Sequence, residues 1–242
     1  MPTSATDECD PMSPSRPHVL DNPIWSSLRS RHASLALSAG PLARYPAQIA
    51  PFMGVAEEGA DAGAALAELV PAQDTVLLLD RAPAIPAGWE LKHLADLAQM
   101  ICEAPIADAA TDDSDDIVEL GERQRDDVLA LTALVYPHYF RPHTMALGRY
   151  FGVYRDGRLA AMIGERMGTD AYTEISAVCT HPDFNGQGHA RRLLRFLSND
   201  NHARGRIPFL HVSHENPRAV ELYERNGYRL RRDIPFWSLA RL

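Results

Sequence analysis

A short stretch of this sequence, residues 175–197, combines the residue types that bind anions through the protein backbone. β-Branched and apolar residues at 175–180 predict a strand, and apolar residues at helical spacing from 190 to 197 predict a helix. Between them, Gly186 and Gly188 predict a tight turn that lets the chain approach a bound group closely. The first N–H groups of a helix have no partner within it, and the helix dipole favours negative charge. We therefore expect a pyrophosphate at this turn.

Two common nucleotide-binding motifs do not fit this turn. A dinucleotide-binding Rossmann motif needs a third small residue three positions after its second glycine, but Arg191 stands there. It also needs an acidic residue at the end of a second strand about 20 residues further on, and none is found. A P-loop needs Gly-Lys-Ser/Thr, which is absent. Two interpretations of the glycine turn therefore remain: another kind of phosphate site, or an ordinary tight turn.

A second segment, residues 207–228, predicts a strand followed by a helix whose two ends are marked. Asn216 is a favourable N-cap, Pro217 suits the first helical position, and Gly227 suits the left-handed position that follows a helix. The helix between them carries Tyr223. The sequence thus predicts a second strand-to-helix unit with a tyrosine on one helix face.

Together these segments resemble the GNAT superfamily of acetyl-CoA-dependent N-acetyltransferases. Residues 185–190, Asn-Gly-Gln-Gly-His-Ala, resemble motif A, Gln/Arg-x-x-Gly-x-Gly/Ala, except that Asn185 replaces the usual Gln or Arg. Residues 216–228 match motif B, Asn-x-x-Ala-x-x-Leu-Tyr-x-x-x-Gly-Phe/Tyr, at every marked position. Residues 172–182 and 20–25 resemble corresponding segments of the FR47-like group within the superfamily.

The resemblance implies an α+β fold, with a mixed sheet whose fourth and fifth strands splay apart to admit the pantetheine arm of acetyl-CoA. It implies direct acetyl transfer in a ternary complex, with acetyl-CoA as co-substrate and no metal. Five arginines against one acidic residue make residues 185–206 locally basic, so Arg191 or Arg192 is expected beside a phosphate, unless they belong only to a solvated helix face. The expected cofactor-binding residues are Val178, Cys179, Thr180, Asn185, Gly186, Gln187, Gly188, His189, Ala190, Arg191 and Asn216.

Acetyl transfer to an amine requires the amine to be deprotonated. A lysine-like amine has a pKa of about 10.4 and an α-amine of about 8, so a base is useful. By resemblance the expected base is Glu174, with Glu165 in reserve; strand alternation places Glu174, Ser176 and Val178 on one face. The N–H of Val178 is expected to stabilise the oxyanion and Tyr223 to protonate the CoA thiolate. The alternatives are a surface carboxylate at Glu174 and a tyrosine that only packs on pantetheine.

The charge pattern divides the chain. Residues 1–116 carry a net charge of −12 and residues 117–242 one of +4. Four carboxylates within residues 111–116 predict a solvated linker. We predict a disordered tail (1–17), an N-terminal mixed α/β region (18–110) and a GNAT domain (117–242). The resemblance implies that the N-terminal region is a degenerate GNAT-like copy.

Coarse patterning predicts the elements around the motifs. In the N-terminal region a helix is expected at 60–70 and strands at 75–79, 89–94 and 99–102. In the C-terminal region a strand is expected at 117–120, a helix at 122–135, and a hairpin of 148–154 with 158–166, turned at Asp156-Gly157. The aromatic-rich loop 136–143 is expected to border the acceptor site or to pack on the core.

Composition limits the other function classes. The cysteines, Cys9, Cys102 and Cys179, are odd in number and lack metal-ligand spacing, which favours a reducing compartment. No signal-peptide pattern or long apolar run is present, so a cytoplasmic protein without membrane association is expected. An acidic chain without a basic stripe argues against nucleic acid as a partner. His211 and His214 have the closest approach to metal-ligand spacing, but on a strand they point to opposite faces.

The sequence therefore predicts an acetyl-CoA-dependent N-acetyltransferase that acts on a primary amine of a small molecule or peptide, with a homodimer as the candidate assembly. A nucleophilic role for Cys179 is not favoured, because the residue lies within the expected CoA-binding strand. Two alternatives are a non-catalytic acetyl-CoA-binding module and a scaffold with a relic GNAT half. Retention of Glu174, Gly188, Asn216 and Tyr223 together argues against both.

Overall fold

A computed structural model of the protein describes residues 18–107, 116–135 and 139–242. The predicted tail, the predicted linker except Asp116, and positions 136–138 of the aromatic loop lie outside the described residues. The α-helices are α1 (Pro23–Leu28), α2 (Gly63–Leu69), α3 (Arg125–Val135), α4 (His189–Ala203) and α5 (Pro217–Arg225). The strands are β1 (Leu37–Ala39), β2 (Leu42–Arg44), β3 (Met53–Val55), β4 (Thr75–Leu79), β5 (Trp89–Ile101), β6 (Ile117–Leu120), β7 (Tyr150–Arg155), β8 (Arg158–Gly168), β9 (Tyr172–Thr180), β10 (Ile207–Ser213) and β11 (Arg229–Arg241).

Most strands form one eight-stranded mixed sheet in the order β4-β11-β5-β10-β9-β8-β7-β6. Only β9 and β10 pair in parallel among these neighbours, and α4 connects them. A parallel pair needs such a crossover, whereas the antiparallel β7–β8 pair is joined by a two-residue turn. Asp156 and Gly157 have φ values of 51° and 73°, which confirms the predicted hairpin turn. The α+β mixed-sheet prediction is confirmed.

The N-terminal residues contribute to this same sheet. β5 lies between β10 and β11 and pairs with β11 along its whole length, and β4 pairs with the other edge of β11. The predicted strands 89–94 and 99–102 are therefore one continuous strand. The small sheet β1-β2-β3 is joined to β4 by a bridge between Phe52 and Leu77. The proposed domain boundary near 111–116 stays a prediction.

The sheet is covered on both faces near the motifs. Buried Leu193, Leu194 and Leu197 of α4 pack in one cluster with Tyr223 of α5, and α3 contributes Leu131 to a separate cluster. The 3.6-residue spacing of the apolar residues in α4 produces this buried stripe. In the described part of the chain, no helix is both long enough and apolar enough to cross a membrane.

Candidate active site

The two parallel strands at the centre of the sheet separate soon after they meet. Residues 207–209 of β10 pair with residues 172–174 of β9, and beyond this point β9 follows β8 while β10 follows β5. Backbone groups along the inner edges of the wedge therefore lose their strand partner. This separation confirms the splay that the sequence resemblance implied.

β9 contains a bulge at the mouth of the wedge. Ser176 is opposite Gly164 and Cys179 is opposite Met162, so two residues of β9, Ala177 and Val178, occupy the space of one on β8. Ala177 has a φ of 50°, a rare conformation for a residue with a side chain. A bulge leaves a residue outside the hydrogen-bonded ladder and redirects the strand.

The bulge overturns one geometric expectation. Simple alternation predicted that Val178 shares a face with Glu174 and Ser176. Instead Val178 packs with Ile175 against the cluster below α4 and α5, whereas Ala177 packs against the cluster below α3. The extra residue shifts the alternation by one, and a sequence pattern of period two cannot anticipate that.

The glycine turn before α4 has the geometry of an anion cradle. Gly186 and Gly188 have φ values of 77° and 79°, and a Cβ added at either would meet no atom within 4 Å, so both face open space. Gly188 is the N-cap of α4 and no side chain caps this end. The N–H groups of the first helical turn therefore have no partner within the helix. The arrangement fits the pyrophosphate that the sequence predicted.

The arginines beside this turn differ in their contacts. Arg191 is exposed. Arg192 pairs with Asp116 at 2.6 Å, and Asp116 also pairs with Arg155. Burial, followed by the charges of Arg155 and Arg192, lowers the pKa of His189 at the first position of α4. Two guanidinium groups thus lie near the turn, with their charge partly balanced by one carboxylate.

The segment that resembles motif B forms α5 as predicted. The Asn216 side chain accepts a hydrogen bond from the Ala219 N–H at 3.2 Å, and Gly227 after the helix has a φ of 83°. Both caps are confirmed. Tyr223 is 8% exposed and its ring packs near that of Tyr228.

A cavity of about 500 Å³ fills the wedge. The predicted residues Val178, Cys179, Asn216 and Tyr223 line it, together with the bulge. The glycine turn is outside the cavity, at the far end of β9. Phe52 and residues of β4, β5 and β11 form the opposite wall, so the N-terminal region contributes to the site. Residues 136–138 of the aromatic loop are not described, but Tyr139 is part of the lining.

Glu174 does not have the setting of a general base. Its side chain is fully buried, and it is absent from the described lining of the cavity. Arg166 donates to both its oxygens, at 2.8 and 2.5 Å, and the Met167 N–H donates to one of them. Although burial acts to raise it, the charge and hydrogen bonds of Arg166, followed by those of His211, lower the pKa of Glu174 to about 2. A carboxylate so stabilised is a poor proton acceptor, and the geometry does not support the predicted role.

The reserve candidate, Glu165, is also unsuited to the role. It is 1% exposed and pairs with Arg149 at 2.6 Å and with Arg31 at 3.4 Å. Asn201 of α4 donates to it as well, at 3.1 Å. Burial opposes the shift, but hydrogen bonds and charge from Arg149 lower its pKa. Glu165 of β8 therefore links the segment after α1, the residue before β7 and α4, and it does not line the described cavity.

His211, which the sequence analysis considered as a metal ligand and disfavoured, has specific hydrogen-bond partners in the sheet. Its Nδ1 lies 2.7 Å from Glu174 and its Nε2 lies 3.0 Å from the side-chain nitrogen of Gln99. The Gln99 oxygen accepts from Arg231 at 2.7 Å, so the Gln99 NH2 group faces the histidine. The network therefore assigns the proton to Nδ1, which donates to Glu174. His214 contacts a different carboxylate, Asp233 at 2.7 Å.

Cys179 is 3% exposed, and burial raises its pKa to about 12. A thiol that stays protonated is a weak nucleophile. This agrees with the expectation that the residue does not form a covalent intermediate. Among the described residues, no group of three or more side chains could hold a metal ion.

Comparison with known proteins agrees with this geometry. The family model described as FR47-like protein matches residues 150–237. A solved structure from Novosphingobium aromaticivorans, assigned to the GNAT family of acetyltransferases, is 37% identical and covers 93% of this chain and 100% of its own, with a TM-score of 0.85. The chain belongs to the GNAT family of acetyltransferases.

More distant GNAT structures share the fold. A GCN5-related N-acetyltransferase from Kribbella flavida is 15% identical, with a TM-score of 0.60 over 91% of this chain and 93% of its own. A GCN5-related N-acetyltransferase-like protein from Streptococcus suis is 13% identical, with a TM-score of 0.55 over 91% of this chain and 94% of its own. No curated protein matches the chain significantly.

Three residues of this GNAT protein escaped the sequence interpretation: Phe52, Gln99 and Arg166. The guanidinium of Arg166 lies over the Phe52 ring, 4.8 Å from its centroid, and both residues line the cavity. Gln99 sets the hydrogen bonds of His211. None belongs to a local motif. Gln99 and Arg166 could have been identified only from the register of β5 and β8 within the sheet, and Phe52 only from its place beside Arg166.

Proposed function

We propose that the protein transfers an acetyl group from acetyl-CoA to a primary amine of a small molecule, by direct attack in a ternary complex. The observation that carries the proposal is that bulged β9, splayed β10 and α5 surround one cavity, with the glycine turn beyond the end of β9. Acetyl-CoA supplies an activated thioester. The remaining chemistry belongs to residues of this chain.

The glycine turn is proposed to hold the pyrophosphate. Both glycines present backbone rather than side chain, and the N-terminus of α4 favours negative charge. The exposed Arg191 is the proposed side-chain contact with a phosphate. Val178, Cys179 and Thr180 of β9 are proposed to bind the pantetheine arm through their backbone, and Asn216 lies across the wedge from them.

Two residues are proposed to assist the transfer. The Val178 N–H lies at the bulge, where a backbone donor can stabilise the oxyanion that forms at the acetyl carbonyl. Tyr223 lines the cavity from α5 and is proposed to protonate the departing thiolate. The alternative for Tyr223 is a packing role only.

The amine is proposed to enter largely deprotonated. Among the described lining residues, Glu215 is the carboxylate, and it is exposed on the turn between β10 and α5. An acceptor with a weakly basic α-amine needs less help than one with a lysine-like amine, because more of it is uncharged near pH 7. This favours weakly basic amines as acceptors.

The test is detection of released CoA thiol across a panel of amines, with acetyl-CoA alone as the blank. Acceptor-dependent thiol release would support the proposal. Tight acetyl-CoA binding without thiol release from any amine would favour the non-catalytic binding module instead. The observation that favours this second function is that Glu174 is buried and ion-paired, so the predicted base is unsuited to its role.

A further inference from the structure

The buried charge in the cavity wall is positive. Two charged side chains line the described part of the cavity, Arg166 and Glu215. Glu215 is exposed at the mouth, whereas the Arg166 side chain is only 14% exposed. A site that binds a protonated amine would be expected to present a buried acidic group, and the described lining presents none. The carboxylate of Glu174 instead lies behind Arg166 and outside the described lining.

Arg166 is held in a fixed orientation. Its Nε and Nη2 donate to the two oxygens of Glu174, and one face of the guanidinium lies against Phe52. Glu174 in turn accepts from His211, whose other nitrogen accepts from Gln99. This chain of buried hydrogen bonds orients the guanidinium before any ligand arrives. Because the Nε–Nη2 edge is engaged by Glu174, a ligand carboxylate would contact the guanidinium through its remaining N–H groups, whose direction this network fixes.

The position of Arg166 relative to β9 limits the distance between the reacting amine of an acceptor and an anionic group bound to Arg166. Arg166, Ser176 and Ala177 line both the cavity and a small adjoining pocket of about 20 Å³. The bulge beside them is where acetyl transfer is proposed. An anionic group on Arg166 would therefore lie close to the reacting amine, as it does in an α-amino acid.

Apart from these polar groups, the cavity wall on the side of Arg166, called the acceptor wall from here on, is apolar. It consists of side chains from the N-terminal region and β11, and Leu94 among them is 41% exposed. Such a wall gains most from an apolar ligand group, because burial removes apolar surface from water. The residues that form it are Phe52, Leu79, Leu94, Leu97 and Phe236.

From these contacts we propose that the acceptor is an α-amino acid with an apolar side chain, whose carboxylate binds Arg166 and whose side chain packs on this wall. The proposal rests on the proposed acetyltransferase function. It also assigns Glu174 as a positioning residue that orients Arg166.

The first test compares matched acceptors on the wild-type protein. L-Phenylalanine and phenethylamine share the aromatic side chain and differ in the carboxylate, and glycine lacks the side chain. With rates referred to the free-amine concentration at several pH values, kcat/KM for phenylalanine should exceed that for phenethylamine by at least about tenfold, the worth of one charge-assisted contact. It should exceed that for glycine by at least about tenfold as well, because glycine has no apolar side chain to bury against the wall. Equal or better use of phenethylamine would overturn the proposal.

The second test needs no turnover. Calorimetry on the CoA-saturated protein compares N-acetyl-L-phenylalanine with N-acetylphenethylamine. Arg166→Lys should weaken binding of the carboxylate ligand about tenfold and leave the affinities for the other ligand and for CoA unchanged. Arg229→Lys, at an exposed arginine paired with Glu103, is the control and should change neither.

The two tests separate the two proposals. Binding of N-acetyl-L-phenylalanine through Arg166, without acetyl transfer to any amine, would refute the proposed function and retain the ligand class. Acetyl transfer that prefers amines without a carboxylate would do the reverse. Equal binding of both acetylated ligands, or of neither, would make Arg166 a purely structural residue.

Discussion

The two walls of the cavity are built in different ways. On the proposed cofactor side, the expected contacts come from backbone groups of one local unit, residues 175–191, and from α5. On the proposed acceptor side, the polar groups are side chains on β5, β8, β9 and β10. Phe52, which lies before β3, packs against one of them. The first wall depends on local sequence, and the second exists only after four strands have aligned.

The two walls should therefore differ in the amino-acid substitutions that they tolerate. A backbone site requires glycine conformation and a free helix end, so single substitutions outside the turn should barely affect it. A side-chain network in a buried environment fails as a unit, because each member leaves another polar group unsatisfied. The following predictions test whether the walls are independent in this way.

The largest expected effect is on turnover, where the two walls meet. Tyr223→Phe keeps the ring and its packing but removes the proton donor. We expect kcat to fall by about 10² to 10⁴, the usual worth of a positioned acid or base, while acetyl-CoA affinity changes only a few-fold. Steady-state kinetics with the best acceptor, beside calorimetric titration, measure both. Full turnover in the variant would leave Tyr223 a packing residue.

The next effect concerns the cofactor wall alone. Gly188→Val forces a β-branched residue into a left-handed conformation at the phosphate turn, and we expect acetyl-CoA affinity to fall by at least about 10². Gly205, beyond the other end of α4, has a φ of 71° and also faces open space, so Gly205→Val imposes the same strain away from the turn.

Both glycine variants should lose similar stability in chemical denaturation. Only the variant at residue 188 should lose cofactor affinity in calorimetry. If the Gly205 variant lost as much affinity, the effect would come from strain in α4 and not from the turn. Retained affinity at residue 188 would put the phosphate elsewhere.

The two walls also differ in how far the sequence predicted them. The glycine turn, the caps at Asn216 and Gly227 and the hairpin at Asp156 were predictable, because each depends on conformations that few residues adopt. The splay of the central strands followed from the family resemblance. Each local feature, the turn, the caps and the hairpin, is encoded by residues that lie close together in its own segment.

The acceptor wall was not predictable by the same means. Glu174 was placed on the correct strand, but its partners lie on other strands, so its burial and low pKa were hidden. The bulge shifted Val178 to the other face, and the insertion of β5 between β10 and β11 brought Gln99 to His211. Long-range register decides such contacts, and local periodicity does not report it.

Glu174→Gln tests the network of the acceptor wall. The folded-state pKa of about 2 lies below the ordinary glutamate value of 4.5, so the charged form stabilises the fold above about pH 4.5. That contribution is lost as the pH falls towards 2. We expect the variant to be less stable by about 3 kcal/mol near pH 7, with the gap to wild type narrowing below pH 4.5.

Denaturant unfolding at several pH values measures this gap, and Glu103→Gln, at an exposed pair with Arg229, is the control. Acetyl-CoA affinity should stay unchanged, since Glu174 does not belong to the cofactor wall. Recovery of the variant's turnover at high pH would indicate, against this assignment, that Glu174 acts as a base.

Ligand-linked stability sharpens the identity of the cofactor wall. Acetyl-CoA and CoA share the pyrophosphate and pantetheine, so each should stabilise the protein by about 2.7 kcal/mol at a hundredfold excess over its dissociation constant. For a chain of this size that corresponds to roughly 5 to 10 °C in melting temperature. NAD and ATP at equal concentration should shift it much less. Equal shifts with NAD would support a dinucleotide site.

The smallest effect is expected from the charge beside the turn. Asp116 pairs with both Arg155 and Arg192 and is about one-third exposed, so it offsets positive charge close to where a phosphate would bind. Asp116→Asn should tighten CoA binding two- to fivefold, since an exposed charge contributes less than about 1 kcal/mol. The gain should shrink as salt screens it. Calorimetric titration at low and high salt, with Glu103→Gln as the distant control, measures the effect. Weaker binding in the Asp116 variant would mean that this carboxylate holds the two arginines in their binding positions, and the cofactor wall would then depend on a side-chain network as the acceptor wall does.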